Sequence, residues 1–138
     1  MNRLTLRQRM MQELFVSDIQ LNRLIRRAPH TYKVYTIPKR TGGRRVIAQP
    51  ARETKYLQRW LISNIFCDLP VHESATAYKL GASIKKNAEK HARNSYLTKF
   101  DFKDFFTSIK ETDLKNHFAN HLTNKLTEDE AEDAALLC

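Results

Sequence analysis

The chain has 138 residues, 41% of them hydrophobic, with 24 Lys and Arg against 15 Asp and Glu and a formal net charge of +9. That length and apolar content suit one domain with a real core and exclude a disordered tail. The charge is uneven: residues 1–60 hold 14 basic against 3 acidic side chains, a net of +11, whereas residues 113–138 hold 2 against 6, a net of −4. A basic half of that strength points to a polyanionic partner, most simply a nucleic acid. An anionic membrane surface is the competing partner, and a merely solvated surface is the plain alternative.

In chain order, Leu4–Phe15 and Ser17–Arg27 are expected to form two short helices, with Leu21, Leu24 and Ile25 at helical spacing and Ser17 as N-cap. Pro29 ends the second. Tyr32–Ile37 alternates as a strand does, and Arg45–Gln49 is a second strand candidate. Between them Pro38-Lys39-Arg40-Thr41-Gly42-Gly43-Arg44 forms a very basic hairpin tip, for which the glycine pair supplies a permissive backbone. Pro50 closes the hairpin. Arg52–Leu69 reads as an amphipathic helix with Tyr56, Leu57, Trp60, Leu61, Asn64 and Ile65 along one side, ended by Pro70. Residues 71–84 are irregular, with a turn at Gly81, and Ile84–His91 is a short helix. Tyr96–Phe102 reads as a strand. Thr112–Leu122 is helical, and Thr127-Glu128-Asp129-Glu130 is a capping box for a last helix.

Two cysteines, Cys67 and Cys138, with no CxxC pair and only His72 near Cys67, argue against a zinc site. Cys67 lies in an apolar helical run and is expected to be a reduced core residue. No signal peptide is visible and no apolar run approaches 18 residues, so a soluble cytoplasmic protein with no membrane partner is expected.

The stretch YLTKFDFKDFFTSI (Tyr96–Ile109) carries the chemistry. Period-2 alternation would put Tyr96, Thr98, Phe100 and Phe102 on one face and Leu97, Lys99 and Asp101 on the other. The aromatic face could then pack on helices while Asp101 points into a cleft. A carboxylate at a strand end can hold a divalent metal for phosphoryl transfer. Asp104 falls in the first turn of the next segment, where an ordinary N-cap is the plainer reading. Phe105 and Phe106 are more often core than functional. A two-metal site needs several carboxylates close together, and no YxDD-like pair occurs. The hairpin tip offers Lys39 as a point charge and Arg45 as a bidentate donor to phosphate; the alternative is a solvated charged turn.

Four blocks in order resemble bacterial reverse transcriptases of the retron type. They are YKVYTIPKRTGGRRVIAQP (Tyr32–Pro50), LQRWL (Leu57–Leu61), the segment containing Gly81 and Asn87-Ala88-Glu89-Lys90-His91 with its NAxxH pattern, and FDFKDFFTSI. The resemblance covers about Ser17 to Leu122. It implies an α+β fold made of amino-terminal helices (1–30), a fingers region with its β-hairpin (31–95) and the first strand of a right-hand polymerase palm (96–138, incomplete). It further implies an RNA-directed DNA polymerase that copies a structured noncoding RNA into cDNA, with a role in antiphage defence and an effector protein as a further partner. By residue, Asp101 would be catalytic and a Mg²⁺ ligand, and Phe102 would offer its carbonyl to the second metal of a two-Mg²⁺ site. Lys39, Arg45 and Asp104 would lie at the incoming deoxynucleoside triphosphate. Phe106 would be an aromatic gate against a 2′-hydroxyl. Arg40, Arg44, Asn87 and His91 would contact RNA. For Asn87 and His91, bracing of the fingers against the palm and a short helix with a satisfied His stay open.

In the family pattern a second palm segment with an Asp-Asp pair and a thumb follow. Their absence from this sequence implies a chain stopping short, inactive by itself, whose remaining metal ligands lie elsewhere. The reading from another class is a nucleic-acid-binding module without chemistry, for which the basic amino-terminal half suffices. A helix-turn-helix over Leu4–Arg27 is a third, disfavoured by the lack of aligned polar residues on Ser17–Arg27.

Overall fold

In the computed structural model, which describes residues 3–77 and 80–138, three helices start on reciprocal capping boxes. Thr5 and Gln8 open α1 (Leu6–Leu14), Ser17 and Gln20 open α2 (Asp18–Arg27), and Thr127 and Glu130 open α7 (Glu128–Leu137). In each, the hydroxyl accepts an orphan N–H of the first turn and the longer side chain accepts the cap residue's own N–H. A 3₁₀ turn over Ala28–His30, with Pro29 inside it, stops α2. The chain then forms strands β1 (Lys33–Pro38) and β2 (Arg44–Gln49), followed by α3 (Arg52–Asn64). Further on come α4 (Ile84–His91), the four-residue α5 (Phe105–Ser108) and α6 (Glu111–His121).

The described residues divide into two compact units. One comprises residues up to Leu69 together with Ile109–Cys138, the other Pro70–Ser108. The first holds the core. Leu6 and Met10 of α1, Leu21 and Ile25 of α2, and Leu57, Trp60 and Leu61 of α3 are buried with Phe118 of α6 and Ala131, Ala134, Ala135 and Leu137 of α7. Burying each of the larger side chains is worth about 1.5–3 kcal/mol. These positions recur at the three- and four-residue spacing of one helix face, so the amphipathic pattern and the packing agree. Phe66 stacks on Phe118 with ring centroids 4.6 Å apart. Polar clamps lie at the edges of this core. Arg7 grips Asp133 with two prongs, at 2.6 and 2.9 Å, which raises the pKa of its guanidinium. The Trp60 indole donates to Glu13 at 2.8 Å while Arg9 lies over the ring.

The hairpin rises from this core. Its base is fixed by the Ala51 N–H donating to the Thr31 carbonyl, by the Thr31–Thr54 hydroxyl pair at 2.8 Å, and by Gln58, which donates to the Tyr32 hydroxyl and to the Leu137 carbonyl. The second unit has no buried residue among those described, of which Ile84, Leu97 and the aromatic side chains are exposed. Ser83 caps α4, and the left-handed Gly81 lets its carbonyl accept from Lys86 Nζ at 2.8 Å.

Several expectations are corrected. Tyr96–Phe102 forms no strand, and Tyr96, Phe100 and Phe102 are 91%, 84% and 78% exposed. A strand needs a partner for its N–H and C=O groups, and the sheet among the described residues is the two-stranded β1–β2 pair. Phe105 and Phe106 are exposed rather than core. The helix expected over Arg52–Leu69 ends at Asn64 and passes at Ile65 into a 3₁₀ turn, Phe66–Asp68. Cys67 sits on that turn, beyond the end of α3, and is exposed, not buried. Tyr56 is exposed while Leu57, Trp60 and Leu61 of the same helix are buried.

Candidate nucleotide and nucleic-acid interface

The hairpin pairs Lys33 with Gln49, Tyr35 with Ile47, Ile37 with Arg45, and Pro38 with Arg44. Between Pro38 and Arg44 the tip closes by two backbone bonds. The Lys39 N–H donates to the Gly43 carbonyl at 3.0 Å, and the Gly42 N–H to the Lys39 carbonyl at 3.2 Å. This is the three-residue hairpin loop, a turn over Arg40 and Thr41 followed by a left-handed residue. Gly42 fills that last position at φ 90°, and Gly43 follows at 80°. Both therefore stand where a side chain would strain the backbone.

Cross-strand pairing puts Arg45 on one face with Tyr35, Ile37, Ile47 and Gln49, and Arg44 on the other with Val34, Thr36 and Val46. The two arginines consequently differ. Arg44 is drawn back along β1, donating from Nε to the Thr36 hydroxyl at 2.7 Å and from Nη2 to the Thr36 carbonyl at 3.2 Å. Lys39, Arg40 and Arg45 make no side-chain hydrogen bond or ion pair among the described residues. Three cationic side chains thus stand in or beside the tip with no charge partner among the described residues.

In the second unit, Asn87 and His91 lie one turn apart on α4. With Ala88 and Leu97–Phe100 they line an open groove of about 620 Å³. Asp101 follows that groove-lining segment and is exposed. Asp104 takes a left-handed conformation at φ 53°, and its carbonyl accepts from the Ser108 N–H and the Thr107 hydroxyl, which starts α5. The aromatic side chains meet each other rather than a core: Phe102 and Phe105 at 6.2 Å, and Phe105 and Phe106 edge to face at 5.3 Å.

Asp101 and the Phe102 carbonyl are hard oxygen donors of the kind Mg²⁺ takes, but Mg²⁺ demands six in near-ideal octahedral order. Among the described residues no three His, Cys, Asp or Glu side chains come together as a metal cluster. These residues therefore offer part of a donor set and do not by themselves make a metal site. Lys39, Arg40, Arg44 and Arg45 fall in one unit; Asn87, His91, Asp101, Phe102, Asp104 and Phe106 fall in the other.

One cationic feature went unnoticed in the sequence. Arg52, Lys55 and Arg59 line a shallow groove on α3 together with Glu53 and the exposed Tyr56. Their spacing of three and four residues was the signal available. Among the described residues no helix is long and apolar enough to cross a membrane.

No protein-family model matches the chain. Individual proteins do. The chain is 41% identical over 113 residues to the retron Ec73 reverse transcriptase of Escherichia coli, covering 80% of this chain and 34% of that protein. It is 45% identical over 78 residues to the retron Mx162 reverse transcriptase of Myxococcus xanthus, covering 56% and 16%. It is 45% identical over 87 residues to the retron Ec83 reverse transcriptase of Escherichia coli, covering 62% and 28%. The chain therefore spans about a third or less of the length of these relatives.

Proposed function

We propose that this chain, whose sequence is of the retron reverse transcriptase type, supplies the fingers and the opening of the palm of an RNA-directed DNA polymerase. The observation that carries this reading is the hairpin tip, where Lys39 and Arg40 on a glycine-shaped turn and Arg45 beside it have no ion-pair partner among the described residues. A tip of that kind can close on a triphosphate. Arg45, directed by its place on β2, would fork onto phosphate oxygens, and Lys39 would add a point charge. Arg40 and the remaining donors of Arg44 would meet the RNA backbone, as would Asn87 and His91 on α4.

Asp101 would contribute its carboxylate, and Phe102 its carbonyl, to a pair of Mg²⁺ ions whose other ligands come from residues outside these 138. When bound, such ions supply charge stabilisation for phosphoryl transfer. Asp104 would border the nucleotide through its turn. Phe106 would set its ring against the sugar, excluding a 2′-hydroxyl and so selecting deoxynucleotides. The template would be a structured noncoding RNA, the product its cDNA, and the biological setting the cytoplasm and antiphage defence, with an effector protein as a further partner. One carboxylate cannot clamp two ions, so these 138 residues by themselves would not extend a primer.

The experiment is primer extension on RNA, run with the whole polymerase and with the 138-residue chain. Activity in the whole polymerase that is lost with Asp101→Asn, and absent from the short chain, supports the reading. Robust cDNA synthesis by the short chain overturns its incompleteness. Full activity of the Asp101→Asn polymerase overturns the catalytic role. The second reading, a binding module without chemistry, is favoured by the absence of an acidic cluster around Asp101 among the described residues. It requires RNA binding with no Asp101-dependent synthesis in any longer chain.

A further inference from the structure

We infer that the solvent face of α3 is a track for single-stranded nucleic acid, separate from the hairpin tip. This rests on the nucleic-acid reading above and adds a site to it. Arg52, Lys55, Tyr56 and Arg59 stand at positions i, i+3, i+4 and i+7 of one helix and therefore share one face. They line a groove of about 490 Å³ on the helix surface. The opposite face, Thr54, Leu57, Trp60 and Leu61, is buried in the core, so the track is held on a rigid element.

Three observations indicate a ligand and not mere solvation. Arg52, Lys55 and Arg59 have no ion-pair or hydrogen-bond partner among the described residues, although carboxylates elsewhere in this unit are paired with Arg3, Arg7, Lys115 and Lys125. Arg52 and Lys55 occupy the first turn of α3, where the helix dipole disfavours cations and where Ala51 provides no side-chain cap. Their placement thus does nothing for the helix. Tyr56 lies between the cations with 57% of its surface exposed, a large ring kept in water while its neighbour Leu57 is buried in the core. Glu53 is the one carboxylate on the groove and sits at its amino-terminal edge.

Arg52 and Arg59 are separated by about 10 Å along the axis, at 1.5 Å per residue. Cations that follow a backbone, with an aromatic face among them, fit an unpaired strand: phosphates meet the guanidinium and ammonium groups while a base stacks on the ring. A duplex hides its base faces and could use only the charges.

The test is fluorescence anisotropy of the chain with a labelled single-stranded RNA 12-mer of mixed sequence, repeated from 50 to 200 mM KCl. Arg52→Gln/Lys55→Gln/Arg59→Gln is expected to reduce the slope of log K against log salt by about 2, since each single-strand phosphate contact contributes roughly 0.7. Tyr56→Ala is expected to weaken binding about tenfold with the slope unchanged. All four side chains are exposed, and the thermal transition checks that the variants fold. Unaltered affinity and slope in both variants, while Lys39→Ala/Arg40→Ala/Arg45→Ala loses binding, overturns the α3 track and leaves the nucleic-acid reading standing. No RNA binding by the wild-type chain overturns both. A triple variant that loses slope while Tyr56→Ala binds as wild type overturns the single-strand assignment.

Discussion

Glu130 Oε1 accepts the backbone N–H of Leu6, so one carboxylate serves the first turns of two helices 124 residues apart in the chain. Its other oxygen accepts the Thr127 N–H at 2.7 Å and faces Arg3 at 3.5 Å. Burial opposes the charge. The two backbone donors and Arg3 outweigh it and hold this carboxyl below its ordinary value of 4.5.

Glu130→Gln is expected to cost about 1–3 kcal/mol, because an amide turns a donor toward one of two backbone N–H groups. Because the folded pKa is depressed, the contribution of Glu130 is fully present above 4.5 and is lost as pH falls through the lower folded value. Urea unfolding of both proteins between pH 7 and pH 3 checks this. The wild type should converge on the variant at the acid end, and a constant gap would be inconsistent with the carboxylate's role.

Gly42→Ala places a Cβ at φ 90°, where nothing lies within 4 Å, so its cost is backbone strain alone. About 1–2 kcal/mol is expected, confined to the hairpin. Amide exchange should quicken across β1 and β2 while the thermal midpoint of the core stays where it is.

Arg45→Ala in the whole polymerase is expected to raise the apparent KM for deoxynucleoside triphosphate about tenfold, the value of one charge-assisted hydrogen bond. Affinity for template RNA should hold. Steady-state kinetics beside a filter-binding titration separates the two, and a change in RNA affinity alone would assign Arg45 to the template.

Asp101→Asn in the same polymerase is expected to lower kcat by on the order of 10²–10³ with RNA affinity intact. Substituting Ala for Phe106 should leave deoxynucleotide incorporation measurable and raise ribonucleotide incorporation. Competition between dGTP and GTP in single-nucleotide extension reads that ratio; an unchanged ratio would remove Phe106 from sugar selection.

Local signals were legible in the sequence. The capping residues Ser17 and Thr127 stand where the pattern put them, α4 has the expected limits Ile84 and His91, and the hairpin turns at Gly42 and Gly43. Each of these depends on residues within four positions of one another, so a short window of sequence contains the physics. The candidate site residues were legible as chemistry in the same way: a basic tip, a carboxylate among aromatics, a His one turn from an Asn.

Long-range contacts decided the rest. Alternation over Tyr96–Phe102 specifies which side chains would share a face, but a strand exists only where another strand offers hydrogen bonds, and none does among the described residues. Arg44 and Arg45 are neighbours with identical side chains; only the register of β1 against β2 turns one toward Thr36 and leaves the other free. The acidic start of α7 reads as an ordinary capping box, yet Glu130 and Asp133 hold Leu6 and Arg7 because the fold brings the two ends of the chain together. The sequence by itself determined the elements and the chemistry they carry. Tertiary structure decided which of those groups are consumed by the fold and which stay free for a ligand, because a hydrogen-bond partner more than a hundred residues away leaves no trace in local pattern.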